Sequence, residues 1–254
     1  MRTLNIILLA TVSASSSLWA QEGSSDATGT NPINFTNDLR IYNEYQWLKP
    51  GDAGLNLTTL EYRTPFADGK WSFRTRVKAT ALDVGDVNEF GFGDMDFRFL
   101  TVPYLNMDKK MAIATGIEFS LPTASDDLLG SNAITAGPQV FGVFFKPFGG
   151  FFDLIAPAYQ HKFSIYEDDD APQVHQGLFD LFLLKTSADK SKWALINPQA
   201  VLDYENDKQF ALLEAEIGTM IGTGGKSVYL RPSYGIGDDR PYDFSLEAGF
   251  KLIW

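Results

Sequence analysis

The sequence predicts an all-β protein, a transmembrane antiparallel up-and-down β-barrel of about 12 strands. Three observations carry the prediction. Segments with period-two alternation recur along the chain, separated by turn-forming Gly, Pro, Asn and Asp. The last of them, Asp243 to Trp254, places Phe244, Leu246, Ala248, Phe250, Leu252 and Trp254 on one face and stops on an aromatic. A fraying end gains little from burial in a soluble sheet. In a lipid-exposed barrel, Trp254 sits at the membrane–water boundary, which accommodates both the ring and the N–H of an indole. Finally, no apolar run is long enough for a helical span. A chain that crosses a membrane with its backbone satisfied must then close a barrel.

Met1-Arg2-Thr3 precedes an apolar run from Leu4 to Val12, and small and polar residues follow, ending Leu18-Trp19-Ala20. This is the pattern of a secretory signal peptide over residues 1–20, cleaved before Gln21. Residues 21–32, rich in Gly, Ser, Thr and Asp, read as a flexible periplasmic leader. Residues 33–254 form one barrel domain. Its strand-like segments are 34–48, 54–64, 70–82, 89–102, 110–121, 133–146, 151–166, 174–186, 192–205, 209–222, 226–237 and 243–254.

Several segments alternate cleanly. Trp71, Phe73, Val77 and Ala79 oppose Arg74, Arg76 and Lys78; Met111, Ile113, Ile117 and Phe119 oppose Ala112, Ala114, Gly116, Glu118 and Ser120. Leu213, Ala215 and Ile217 oppose Glu214 and Glu216, and Val228, Leu230 and Tyr234 oppose Ser227, Arg231 and Ser233. Charges in mid-strand opposite an apolar face suit a barrel that is greasy outside and wet inside. The second segment switches phase between Leu57 and Leu60 and the fourth at Gly93-Asp94, which predicts bulges. The sixth, around Gly137-Pro138, assigns neither face.

An even strand number puts both termini on the periplasmic side. The outer connections (49–54, 83–89, 122–132, 167–173, 205–208, 237–242) then hold fourteen Asp or Glu against Lys49, Lys208 and Arg240. The periplasmic turns hold Asp68, Asp108 and Asp189 against Lys70, Lys109, Lys110, Lys146, Lys190, Lys192 and Lys226. Charge did not enter the placement of strands, so this segregation supports the topology. The outer connections are short and leave little material to close the mouth.

A net charge of −11 and a pI near 4.6 exclude a nucleic-acid partner, which needs a basic stripe. The chain has no cysteine, so disulfides and thiolate metal sites are excluded. No cofactor and no metal are expected. Glu167-Asp168-Asp169-Asp170 and Asp126-Asp127 lack the ligand spacing of a calcium loop and read as an acidic rim. Gly222-Thr223-Gly224-Gly225-Lys226-Ser227 lacks the glycine spacing and the following helix of a phosphate loop, and reads as a tight turn.

The end of the chain, Glu247-x-Gly249-x-x-Leu252-x-Trp254, resembles the C-terminal recognition signal of bacterial outer-membrane barrel proteins. The resemblance implies the outer membrane as destination, the barrel-assembly machinery as a partner, and outer-membrane lipid and lipopolysaccharide as surroundings. Three further motifs are Gly91-Phe92-Gly93-Asp94, Leu121-Pro122-Thr123-Ala124-Ser125, and Leu129-Gly130-Ser131 followed by Gly137-Pro138. Together they resemble the outer-membrane proteins grouped under the meta-cleavage pathway of phenol degradation, with their transporter relatives. That likeness implies a channel or transporter for small solutes, hydrophobic or aromatic compounds among them.

Inward parity makes Arg74, Arg76, Lys78, Asp96, Arg98, Glu118, Glu214, Glu216, Arg231, Glu247 and Lys251 the candidate lumen or constriction residues. They are read either as a structural ion-pair network or as a polar constriction that selects solutes. The competing functions are a structural barrel with a sealed lumen and an outer-membrane lipid hydrolase. The hydrolase would draw on His161 and His175, which fall on the lipid-facing set, whereas the nearest hydroxyl, Ser164, has the opposite parity. No catalytic triad follows, and no enzymatic activity is expected.

Two expectations are directly testable. N-terminal sequencing of the exported protein should begin at Gln21. Replacing Trp254 with Asp should sharply lower the amount of barrel recovered from the outer membrane, and unchanged levels would remove Trp254 from the assembly signal.

Overall fold

The computed structural model describes residues 28–48, 53–167, 171–222 and 224–254. The expected signal peptide (1–20), the leader up to residue 27, Lys49 to Asp52, the acidic run Asp168 to Asp170, and Thr223 lie outside the described residues.

Alternation of β-branched or aromatic residues with polar ones yields thirteen strands. They are β1 (Asp38–Leu48), β2 (Gly54–Phe66), β3 (Trp71–Val84), β4 (Val87–Phe92), β5 (Met95–Asn106), β6 (Met111–Leu121), β7 (Ala133–Phe145), β8 (Leu154–Glu167), β9 (His175–Thr186), β10 (Lys192–Asp203), β11 (Lys208–Met220), β12 (Lys226–Ile236) and β13 (Tyr242–Ile253). Neighbours pair antiparallel around the ring, and β1 pairs with β13 from Asp38↔Ile253 to Leu48↔Tyr242, which closes the sheet. β4 and β5 share one position: β3 pairs with β5 through Trp71–Arg76 and with β4 through Ala79–Val84. Thirteen strands thus form the twelve staves of a closed barrel. The expected irregularity at Gly93-Asp94 is the break between these two strands.

The bulge expected in the second segment is absent. β2 keeps an unshifted register with β1, from Asp38↔Arg63 to Trp47↔Gly54, and with β3 along its whole length. Two neighbours holding one register leave no place for an extra residue. Leu55 and Leu57 therefore turn into the lumen, opposite Gln46 and Glu44. The unassigned sixth segment resolves as β7, with Ala133, Thr135, Gln139, Phe141 and Val143 buried inside and Val140 and Phe144 exposed outside.

The exterior is an apolar band between two aromatic belts. Ile41, Leu60, Leu213, Ile217, Leu230 and Leu246 are exposed along it. At the ends of the strands away from the termini, Tyr45, Trp47 and Phe244 lie in a row, Tyr45 edge-on to Trp47 with centroids 4.7 Å apart and Trp47 tilted against Phe244 at 5.3 Å. Near the termini, Phe66 lies 6.3 Å from Trp71 and Tyr62 lies 6.4 Å from Trp254. Amphipathic rings at both edges of an apolar band are the arrangement a bilayer selects.

This assignment of faces predicts that Leu213→Arg, in the middle of the band, destabilises the barrel by about 2–4 kcal/mol, the cost of a cation at the midplane. Urea titration in lipid vesicles measures it. An unchanged midpoint would mean that Leu213 does not face hydrocarbon.

Candidate functional site

Period two delivers every candidate lumen residue to the inside, where the narrow bore brings most of the charges into pairs; among the described residues Arg98 and Glu214 form no salt bridge. On the β1–β6 wall, the Glu118 carboxylate pairs with Arg74 and, at 3.2 Å, with Arg76. Asp96 takes Lys78 at 2.8 Å and Arg76 at 3.7 Å. Four residues that the sequence reading missed complete the group. Asp38 receives Arg63 at 2.9 Å and Arg40 at 3.1 Å, and Arg40 also reaches Glu61 at 3.4 Å. For β1 the signal was available: Asp38, Arg40, Glu44 and Gln46 alternate with Leu39, Ile41, Tyr45 and Trp47, with Tyr42 inside and Asn43 outside as the exceptions.

A second group sits on β10–β13. Glu216 Oε1 accepts from Trp193 Nε1 at 2.6 Å and from the Lys251 ammonium at 3.1 Å, while its Oε2 accepts from Arg231 at 2.5 Å. Glu247 accepts from the Tyr229 hydroxyl at 2.6 Å and pairs with Arg231 at 3.3 Å. Lys251 is fully buried, with its ammonium 4.6 Å from the Tyr229 ring centre and 5.0 Å from that of Trp193. Two ring faces and one carboxylate replace its water. Glu214 stands apart from this group: Asn197 Nδ2 donates to it at 3.4 Å and to Asp180 at 3.2 Å. Asp180, also on the inner face, was missed.

The lumen is not wet throughout. Towards the termini, Leu100, Ala112, Ala114, Phe141, Val143, Leu154, Ala156, Leu184, Trp193, Leu195 and Tyr229 form one buried apolar cluster inside the barrel. Ile33 and Phe35, from the segment before β1, pack against it. That segment is tied to the charged wall: Arg40 donates to Gly29 O at 2.7 Å, Arg63 to the same oxygen at 3.4 Å, and Lys251 to Thr28 O at 3.4 Å. The periplasmic end of the bore is therefore narrowed by apolar packing.

The outer end is narrowed too, against the expectation from its short connections. The β6–β7 connection carries a 3-10 turn, Asp127–Leu129, that folds onto the inner wall. Asp94, buried at the β4–β5 break, accepts from Thr123 N and Ala124 N, each at 3.2 Å, and from Ser131 N and Oγ, each at 2.7 Å. Ser125 N donates to Phe92 O at 2.9 Å. Gly91-Phe92-Gly93-Asp94, Leu121–Ser125 and Leu129-Gly130-Ser131, far apart in sequence, are one contact unit. Beneath it lies a cavity of about 460 Å³, with Leu55, Leu57, Leu128 and Leu129 on its apolar side and Lys78, Asp96, Glu118 and Lys162 among its polar lining.

The two histidines sit on the outer wall, in an aromatic cluster. Tyr159 OH meets His161 Nδ1 at 3.0 Å, and the His161 and His175 rings are 5.1 Å apart. Ser164 points the other way, and its Oγ accepts from Val174 N at 2.7 Å.

The Glu216–Lys251 contact yields a prediction. Glu216→Leu strands a buried ammonium and takes one partner each from Arg231 and Trp193, and should cost about 3–5 kcal/mol; adding Lys251→Met should recover the share due to the ammonium. Unfolding of Glu216→Leu, Lys251→Met and the double variant in detergent measures both. Strict additivity of the two replacements would show that the pair does not interact.

No protein-family model and no curated protein sequence matches the chain. Solved structures do match in fold. The COG4313 outer membrane channel from Pseudomonas putida F1 superposes with a TM-score of 0.69 at 10% identity, over 89% of this chain and 100% of that one. The NanC porin gives 0.58 at 10% identity, over 86% of this chain and 98% of that one. The KdgM porin gives 0.57 at 9% identity, over 85% of this chain and 99% of that one. At such identities the likeness is one of fold: the chain is a closed twelve-stranded barrel of the outer-membrane type.

Proposed function

We propose that this protein is an outer-membrane channel for small solutes, hydrophobic or aromatic compounds among them. The observation that carries the reading is the chamber of about 460 Å³ at the outer end of the lumen, with leucines on one side and ion-paired side chains on the other. A bore lined by charge alone would favour hydrated ions; a leucine wall gives an apolar group a place to leave water. The resemblance of the Gly91–Asp94, Leu121–Ser125 and Leu129–Ser131 motifs to transporters of the phenol-degradation group agrees with this. So does the barrel fold shared with the COG4313 channel and the porins.

A sealed structural barrel is the second reading, favoured by the apolar packing of Ile33 and Phe35 at the periplasmic end. Conductance separates the two. In planar bilayers the protein should pass small currents that rise when residues 21–35 are deleted, and Arg74→Ala with Arg76→Ala should alter them. The acidic outer connections should give a weak cation preference, because a ring of carboxylates concentrates cations at a mouth. That preference should fade as the Debye length falls from about 10 Å at 0.1 M salt to about 3 Å at 1 M. No current from either the full or the shortened protein would establish the sealed barrel, and an anion preference at low salt would show that the rim does not control access.

A further inference from the structure

One line of residues across the inner wall is out of electrostatic balance. Following the hydrogen-bonded register from strand to strand gives Asp38↔Arg63, Arg63↔Arg74, Arg74↔Arg98, Arg98↔Glu118 and Glu118↔Gly137. Between β7 and β8, Ala136 pairs with Phe163 and Gln139 with Gln160, so the same register aligns Gly137 with Lys162. Directly opposed residues have Cβ atoms about 4.5–5.5 Å apart, and like charges at that separation repel. This line therefore sets four cations against two carboxylates of its own, and the one carboxylate that reaches in from the adjoining line, Glu61, goes to Arg74 at 3.9 Å.

The carboxylates are taken at one end of the line. Asp38 is held by Arg63, and Glu118 is turned towards Arg74 and Arg76. Arg98 and Lys162, on either side of Glu118, lie in its field but make no salt bridge and no hydrogen bond among the described residues. Gly137 stands between Glu118 and Lys162, and the Gln160 side chain lies over it, its Nε2 donating to Gly137 O at 3.3 Å. The adjoining line adds a further donor: Gln139, 8% exposed, has a buried Nε2 without a hydrogen-bond partner. Donors outnumber acceptors here, in a bore where unpaired cations are costly.

We infer that Arg98 and Lys162 form a binding site for the carboxylate of a small amphipathic acid. The apolar part of the ligand rests on Leu55, Leu57, Leu128 and Leu129 in the chamber that Lys162 and Glu118 help to line. A guanidinium matches a planar carboxylate through parallel N–H donors, and an ammonium adds a point charge from the other side. One added negative charge leaves a single cation unmatched in the line, and the leucines give the apolar part of the ligand a place to leave water. The inference rests on the channel reading for its purpose, but the site itself is a matter of equilibrium binding.

Calorimetric titration of the purified barrel in non-ionic detergent tests it, with benzoate and its neutral analogue benzamide as probes. Benzoate should bind and benzamide should bind at least about tenfold more weakly; Arg98→Gln and Lys162→Gln should each weaken benzoate by about tenfold, the loss of a charge-assisted bond. Glu118→Gln, which removes the competing carboxylate, should tighten it. Should Arg98→Gln fail to fold, the opposite responses of Lys162→Gln and Glu118→Gln decide the matter. Absent benzoate binding, equal binding of the two probes, or affinities indifferent to these replacements would overturn the site. Binding without any current in bilayers would leave the site standing and remove the channel reading instead.

Discussion

Closure of β1 onto β13 is the constraint from which the rest follows. An open sheet of this length would present two edges of unpaired N–H and C=O groups, which hydrocarbon cannot satisfy. With Asp38↔Ile253 through Leu48↔Tyr242 in register, every stave has two neighbours, and the chain acquires an inside and an outside. The exterior can then be apolar throughout. The interior inherits the other half of each strand, and its narrowness, rather than any one sequence motif, drives Arg74, Arg76, Lys78 and Arg231 into contact with Glu61, Asp96, Glu118, Glu216 and Glu247.

Large side chains fit into that bore because glycines face them. A Cβ on Gly218 would stand 2.0 Å from Trp193 Cζ2, and one on Gly249 would stand 2.4 Å from Tyr229 Cε1. The two rings lie flat against bare backbone and together cover the Lys251 ammonium. Gly249 thus belongs to two arrangements at once. In the sequence it resembles part of a C-terminal assembly signal; in the folded barrel it seats the ring whose hydroxyl holds Glu247. Any side chain there would displace Tyr229 and unsettle the buried cation.

Much of this was legible in the sequence, since period two needs no knowledge of tertiary structure. The faces of β3, β6, β11, β12 and β13 were readable from Trp71, Ile117, Leu213, Leu230 and Phe250 set against Arg74, Glu118, Glu214, Arg231 and Lys251. The break at Gly93-Asp94 was visible as a change of phase. Leu55 and Leu57 break the pattern because hydrophobicity alone does not distinguish lipid from an apolar patch of lumen, and their register places them in the chamber wall. Pairing was out of reach altogether. Whether Glu118 serves Arg98 or Arg74 depends on cross-strand register and side-chain direction, and neither leaves a trace in the order of residues. The docking of Thr28 and Gly29 on Arg40, Arg63 and Lys251 was hidden for a related reason: polar, glycine-rich chain carries no periodicity, and it is held through backbone carbonyls that every residue possesses.

The two narrowings differ in kind, and the difference bears on how a solute would pass. At the outer mouth the connection that carries the Asp127–Leu129 turn is tied to a break in the barrel wall by the four bonds that Asp94 accepts and by the reciprocal bonds of Ser125 and Phe92. At that break the backbone is satisfied from both sides: Gly93 N donates to Lys78 O of β3 at 3.0 Å, and Met95 N to Thr123 Oγ1 of the connection at 2.9 Å. The connection is thus hydrogen-bonded directly to the strand ends at the break. At the end that carries the termini the segment before β1 is held by Arg40, Arg63 and Lys251 reaching backbone oxygens, by the packing of Ile33 and Phe35, and by the bond from Trp254 N to Asn37 O at 3.0 Å. Side-chain contacts of this sort release locally, at a fraction of the free energy that holds the sheet. On the channel reading proposed above, a solute in the chamber would meet the more yielding barrier at the end that carries the termini, and the two ends of the bore would not be equivalent.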